Sequence, residues 1–349
     1  MILLSSSSPA VYTSRLFQFL IPAFFSVLFI AGPAILIKFG FIDVYFAQII
    51  TVAGINAMLA ISVNFITGFA GQLSLGQAGF MAIGAYACIT FNVDLNAPLP
   101  LAALFAGIVA SLAAFLIGFP ALKLTGDYLA IVTLGFGEII RVVLTNLRSI
   151  TGGANGRQFV SVLAVNPTSA FITVTATLIA TLALFQNFNR SSYGRAILAL
   201  RDDEIAANSC GISIFRYKMI AFVSAGFIAG ISGALYAMVI GFVKPDMASF
   251  TKSIDCLIFV VLGGMGSITG SIVAAYVLTA LQEVLRFLKD YRLLFYPVIL
   301  IFVMLFRPQG LLGMSEFSFV GFCKYCSRKI NNAVKTRQTL KKSGKKNVK

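Results

Sequence analysis

Apolar residues fall in ten runs along the chain, at residues 16–37, 44–66, 80–91, 99–119, 129–147, 170–185, 219–243, 254–262, 271–288 and 293–306. Short polar connectors separate them. A helix crossing the roughly 30 Å hydrocarbon core needs about 20 residues, so most of these runs are long enough to span it. The runs at 80–91, 254–262 and 293–306 are short, and tilted, broken or re-entrant helices are expected there. The run at 16–37 exceeds the usual signal-peptide core of about 7–15 residues and ends in no small-x-small cleavage site, so it reads as a first span. The pattern predicts an all-α polytopic membrane protein with about ten (8–10) transmembrane helices spread over residues 16–313.

Composition supports this. Of the 349 residues, 58% are hydrophobic and 11% charged, whereas a soluble domain carries about 25% charged residues. Net charge is +15, but 11 of the 27 Lys and Arg lie between Arg307 and the last residue. A basic tail of this kind, residues 314–349, reads as a topology signal and a contact with anionic lipid, not as a nucleic-acid site. Ten crossings place both ends on one side, and the tail makes that side the cytoplasm, with residues 1–15 a cytoplasmic N-terminal segment. Histidine is absent, which removes the commonest general base and the Ser-His and Cys-His pairs. No GxxxxGK[ST] phosphate loop occurs. Cys88, Cys210 and Cys256 lie in or beside apolar runs as small packing residues, and Cys323 with Cys326 forms a lone CxxC, short of the four ligands of a structural zinc site. No enzymatic activity, cofactor or metal is expected.

One polar island interrupts the apolar pattern, about residues 188–218. Asp202, Asp203 and Glu204 stand together there, surrounded by Arg190, Arg195, Arg201, Arg216 and Lys218. The segment AILALRDDEIAA is rich in helix formers and too charged for hydrocarbon, so a short cytoplasmic helix is expected. Its small residues, Ala196, Ala199, Ala206, Ala207 and Gly211, leave a helix low enough to fit a groove of another protein.

Four further stretches carry candidate chemistry. In TGFAGQLSLGQAG, Gln72, Ser74 and Gln77 stand among Gly76, Gly79 and other glycines. Glycines at this spacing allow close helix packing, but unpaired amides at membrane depth cost several kcal/mol, which favours a pathway lining. Glu138 and Arg141, three apart in one run, read as a structural or gating ion pair before a proton relay. Thr151, Gly152 and Gly153 begin TGGANG, an outward loop; neither a preceding strand nor a following GK[ST] supports a phosphate site. Gly263, Gly264 and Gly266 in GGMGS mark a helix break, loosely analogous to the first glycine stretch. Corresponding breaks in two halves point to a translocation site in repeat-built transporters.

In RDDEIAANSCGIS, Glu204, Ala206, Ala207 and Gly211 fall on the positions of the loop by which ABC importer membrane subunits contact their ATPases. Ile205 interrupts that pattern, and Asp202 and Asp203 precede it. GQLSLGQAGFMAIGAYA, GDYLAIVTLGFGEIIRVVLTN, TGGANG, GRAILALRDDEIAANSCGIS, KMIAFVSAGFIAGISGALYA, VVLGGMGSITG and RPQGL follow in an order that closely resembles the M-type permease (LivM) family of branched-chain amino acid ABC importers. The match covers most of residues 45–313.

The resemblance implies a permease that carries leucine, isoleucine or valine across the bacterial inner membrane by alternating access. It also implies partners: a second, H-type permease, two cytoplasmic ATP-binding subunits and an extracytoplasmic amino-acid-binding protein. Arg201, Asp202, Asp203, Glu204, Ala206, Ala207 and Gly211 would couple the chain to the ATPases, and Gln72, Ser74, Gly76, Gln77, Gly79, Glu138 and Arg141 would line or gate the path. Related permeases carry urea or short amides, and a stand-alone secondary transporter or channel is the competing class.

Overall fold

The long apolar runs from residue 44 onward fold as single helices. The computed structural model describes residues 43–287 and 292–306, with isolated positions at 34, 36–37, 39–40, 310–311 and 313. Among the described residues, six helices are long and apolar enough to cross a bilayer: Val44–Phe69, Leu99–Ala121, Asp127–Asn146, Pro167–Arg190, Ile214–Ile240 and Ile268–Phe287. In chain order the principal helices are α1 (Val44–Asn64), α2 (Gln77–Ile89), α3 (Leu99–Ala121), α4 (Asp127–Asn146), α5 (Pro167–Arg190), α6 (Ser192–Asp202), α7 (Glu204–Ser209), α8 (Ile214–Ile240), α9 (Phe250–Gly263), α10 (Ile268–Val284) and α11 (Arg292–Phe306).

The protein is an all-α polytopic membrane protein, but the expectation of ten spans resolves differently. Among the described residues there are six full-length spans and three shorter helices, α2, α9 and α11, at the three short runs. The causes are local. Backbone leaves the helix at residues 70–76 before α2, Gly264 and Gly266 terminate α9 with φ of +109° and +89°, and α11 carries Pro297. The run at 16–37 as a whole, the segment 1–15 and the tail 314–349 with Cys323 and Cys326 lie outside the described residues.

Contacts define two ends of the bundle. At one, the Tyr45 hydroxyl of α1 meets Glu283 in the last turn of α10 and Arg286 just after it. A two-residue antiparallel ribbon closes the same end, β1 (Arg157–Gln158) pairing with β2 (Phe242–Val243) in the register Arg157↔Val243. At the other end, Asn64 of α1 meets Ser267 before α10, and the charged island lies there. We refer to these as the ribbon end and the island end.

Small residues set the helix spacing. On α8, Gly230 and Gly233 lie against the backbones of Gly84 and Met81 of α2. Helix α8 also packs on α3, where Gly226 meets Ala114 and Gly230 meets Ala110. Lipid offers no hydrophobic drive between helices, so such close backbone approach, with its dispersion contacts, supplies the packing. Phe80 of α2 and Phe222 of α8 then fill the core edge to face, with centroids 5.6 Å apart. Helices α1 and α8 are largely enclosed, whereas α3 turns Leu104, Ile108, Leu112 and Leu116 outward. That exposed apolar surface is suited to lipid. Cys88 and Cys256 are buried packing residues, but Cys210 is exposed on the island, not part of an apolar run.

Candidate functional site

The island forms two helices, not one. Asp203 breaks AILALRDDEIAA with φ −157° and ψ 110°, then caps α7 by accepting from the amides of Ile205 at 2.8 Å and Ala206 at 3.0 Å. A carboxylate satisfies orphan donors at a helix start, and this capping outweighs the helix propensity of the surrounding residues. Glu204, the first residue of α7, pairs with Lys218 of α8 at 2.5 Å. Lys218 is only 5% exposed, so this link fixes α7 to a central span. The small residues divide between two faces. Ala196 and Ala207 are buried within the chain, while Ala206 and Gly211 are exposed beside Ile205, which is 81% exposed. Only the second set offers a surface to another molecule, and an apolar Ile205 at its centre is the residue that interrupts the expected loop pattern.

Arg201, at the end of α6, turns inward. Its Nη1 donates to the Gly68 carbonyl at 2.9 Å. Its aliphatic stem lies over Gly71, where an added Cβ would stand 2.7 Å from Cγ, and its Nη1 lies beside Gly266. Gly71 has φ of +66°, so glycine there meets both a backbone and a space requirement. Arg201 therefore joins the island to both glycine breaks.

The two breaks also join each other. Asn64 Nδ2 donates to the Ser267 carbonyl at 2.9 Å and to Ser271 Oγ at 3.0 Å, while its Oδ1 accepts from the Gly266 amide at 2.9 Å. Two turns earlier, Asn56 Nδ2 donates to Thr279 Oγ1 at 3.0 Å, and Lys252 Nζ donates to Asn56 Oδ1 at 3.3 Å. Both amides sit on one face of α1 and tie α9 and α10 to it. Gly263 and Gly270 pack backbone to backbone, which brings α9 and α10 together on either side of the turn.

Gln72, Ser74 and Gln77 are all buried, Gln77 to 1% exposure. Gln77 Oε1 accepts from Ser62 Oγ at 3.0 Å. Among the described residues, the Gln72 amide atoms, Ser74 Oγ and Gln77 Nε2 have no hydrogen-bond partner. Unpaired buried amides are rare in a finished core, and these sit where the chain leaves α1 for α2. Gly76 and Gly79 have a packing role: Gly76 lies against the Thr133 carbonyl, and Gly79 against Ile140 and Gly137 of α4.

Glu138 and Arg141 form the expected pair, with Nε to Oε2 at 2.7 Å. The pair extends further. Glu138 Oε1 accepts from the Phe250 amide at 3.1 Å at the start of α9, and Arg141 Nη1 lies 3.8 Å from Asp246. Nearby, at the ribbon end, a cavity of about 350 Å³ is lined by charged Lys244, Asp246, Lys252 and Asp255 together with apolar Met81 and Tyr236. Six ionisable side chains thus converge on one mouth of the bundle. The turn at residues 151–153 holds its shape through Thr151, whose Oγ1 donates to the Leu144 carbonyl at 2.6 Å and accepts from the Gly153 amide at 3.1 Å. Gly152 and Gly153 adopt φ of +74° and +67°.

Residues 45–305 match the family model described as the branched-chain amino acid transport system permease component. The chain belongs to that family. It is 37% identical over 337 residues to the high-affinity branched-chain amino acid transport system permease protein LivM of Escherichia coli, covering 88% of this chain and 78% of the relative. The LivM of Salmonella typhimurium is 38% identical over 341 residues with the same coverage. The permease protein LivH of Salmonella typhimurium is 26% identical over 292 residues, covering 76% of this chain and 94% of that relative. No solved structure matches the chain.

Several residues of this permease carry more than their sequence context signals. Asn64 and Asp255 stand alone in apolar runs, and Lys252 just before one, without a motif to mark them. An ionisable or amide side chain within a span is itself a signal, since its burial cost must be met by a partner or a function. Lys244 and Asp246 read as loop residues, and only the fold places them beside α9.

Proposed function

We propose that this chain is the membrane-spanning permease subunit of an ATP-driven importer of leucine, isoleucine and valine. It works by alternating access in the bacterial inner membrane, with both termini cytoplasmic. The observation that carries the reading is Arg201, which links an exposed helix pair at the island end to the two glycine breaks inside the bundle. Force applied to α7 reaches α8 through Glu204–Lys218, and reaches the breaks through the Gly68 carbonyl. One of two ATP-binding subunits docks on the exposed face of Ile205, Ala206 and Gly211. A second, H-type permease completes the path, and LivH-type relatives support that pairing. A binding protein delivers substrate at the ribbon end. The unpaired atoms of Gln72, Ser74 and Gln77 line the path, where water, substrate or the partner permease satisfies them. Glu138 and Arg141, bound to the start of α9, gate it at the outer side.

The test is transport by vesicles that hold the chain with its partner subunits. Leucine accumulation should require ATP and be insensitive to collapse of ion gradients. Accumulation without ATP, driven by an ion gradient, would overturn the reading in favour of a secondary transporter.

A further inference from the structure

The ribbon-end cavity holds charge for which the described residues supply no ion pair within 4 Å at Lys244, Lys252 or Asp255. Lys252 and Asp255 lie three apart on α9 and both line the cavity. Among the described residues neither forms an ion pair within 4 Å, nor does Lys244, and Asp255 has no hydrogen bond; Lys252 Nζ reaches only the neutral Asn56 Oδ1, at 3.3 Å. Ionisable groups inside a span are costly and normally meet a partner of opposite sign or mark a substrate pathway. Asp246 contributes a second carboxylate, which among the described residues pairs with Arg141 alone, at 3.8 Å. Met81 and Tyr236 form an apolar wall. The site thus offers a cation, an anion and an apolar surface in one space of about 350 Å³. That is the small end of the roughly 300–1,000 Å³ of small-molecule pockets, suited to one amino acid and not to a peptide.

We propose that this cavity is a subsite for a free aliphatic amino acid at the outer mouth of the permease. Lys252 takes the α-carboxylate, Asp255 takes the α-ammonium, and the Met81–Tyr236 wall takes the side chain. The proposal rests on the importer reading above and extends it. Substrate would pause here after release by the binding protein, and recognition of both charged ends would reject amides and acids of the same shape. The Asn56–Lys252 hydrogen bond links this subsite to α1, the helix that also carries the break at the island end.

The test uses the assembled transporter without the binding protein. A cysteine is placed at the cavity lining by Thr251→Cys, and its labelling by a small maleimide is read at residue 251 by mass spectrometry. Leucine should slow labelling, while leucinamide and 4-methylpentanoate, which lack one charge each, should not at equal concentration. Lys252→Gln and Asp255→Asn should each raise the leucine concentration needed for protection roughly tenfold or more, the loss expected for one charge-assisted contact. Lys252→Gln should also abolish the preference for leucine over leucinamide, and Asp255→Asn the preference over 4-methylpentanoate, which a merely structural pair would not do. Unchanged labelling in a transporter that still carries leucine into vesicles would overturn the subsite alone. If those vesicles carry no branched-chain amino acid, the importer reading fails and the subsite falls with it.

Discussion

Gly211 ends α7 with φ of +84° and has open space where a Cβ would stand. Its requirement is conformational, because an L-residue in the left-handed region costs about 1–2 kcal/mol, with Asn paying less. Uptake should therefore fall further in Gly211→Val than in Gly211→Asn, and equal losses would show that bulk against a partner, not turn geometry, decides. Gly71 differs. It combines φ of +66° with the Arg201 stem 2.7 Å from an added Cβ, so Gly71→Ala must displace Arg201. The predicted outcome is loss of ATP-driven leucine uptake in a protein that still inserts, and full uptake would remove Arg201 from the coupling route. At this scale the sequence picked out Gly211 and Arg201 by pattern. It had no means of showing that Arg201 points inward, because its partners, Gly68 and Gly266, are far away in the chain.

Elements explain why the short helices persist. Helix α9 has 14 residues and no chance of standing alone across a bilayer, yet Asn56 and Asn64 anchor both it and α10 to α1. Removing the Asn64 side chain orphans the Gly266 amide and leaves the Ser267 carbonyl without that donor, so Asn64→Ala should cost about 1–3 kcal/mol. A lowered unfolding temperature of the detergent-purified protein would show this, and an unchanged one would mean that the breaks are held by packing alone. An added Cβ at Gly230 would meet Ala110 and the Ala106 carbonyl of α3, while Gly84 lies against the Gly230 backbone. Gly230→Val should push α8 away from α3 and cost about 1–3 kcal/mol by overpacking, seen as poor membrane yield. Hydrophobic runs located these helices, and glycine clusters located the breaks. That the two breaks meet, and that Asp203 divides the island into two helices, depends on tertiary contacts and capping that periodicity does not encode.

At the scale of the bundle, charge among the described residues is gathered towards the two ends. The island lies at one, and Glu138, Arg141, Lys244, Asp246, Lys252 and Asp255 lie at or near the other. The ordered motifs made the family legible from the chain alone. The ribbon-end cluster was not legible in this way, since residues 138–141 and 244–255 converge only in the fold. On this account the island end receives force, α1 and α8 carry it, and the ribbon end holds substrate. The most direct test is the amount of leucine carried per ATP hydrolysed, measured in vesicles with the complete transporter bearing Arg201→Gln. Hydrolysis should continue while leucine per ATP falls roughly tenfold, within the usual range of site-to-site coupling. An unchanged ratio would contradict the link between the island and the glycine breaks.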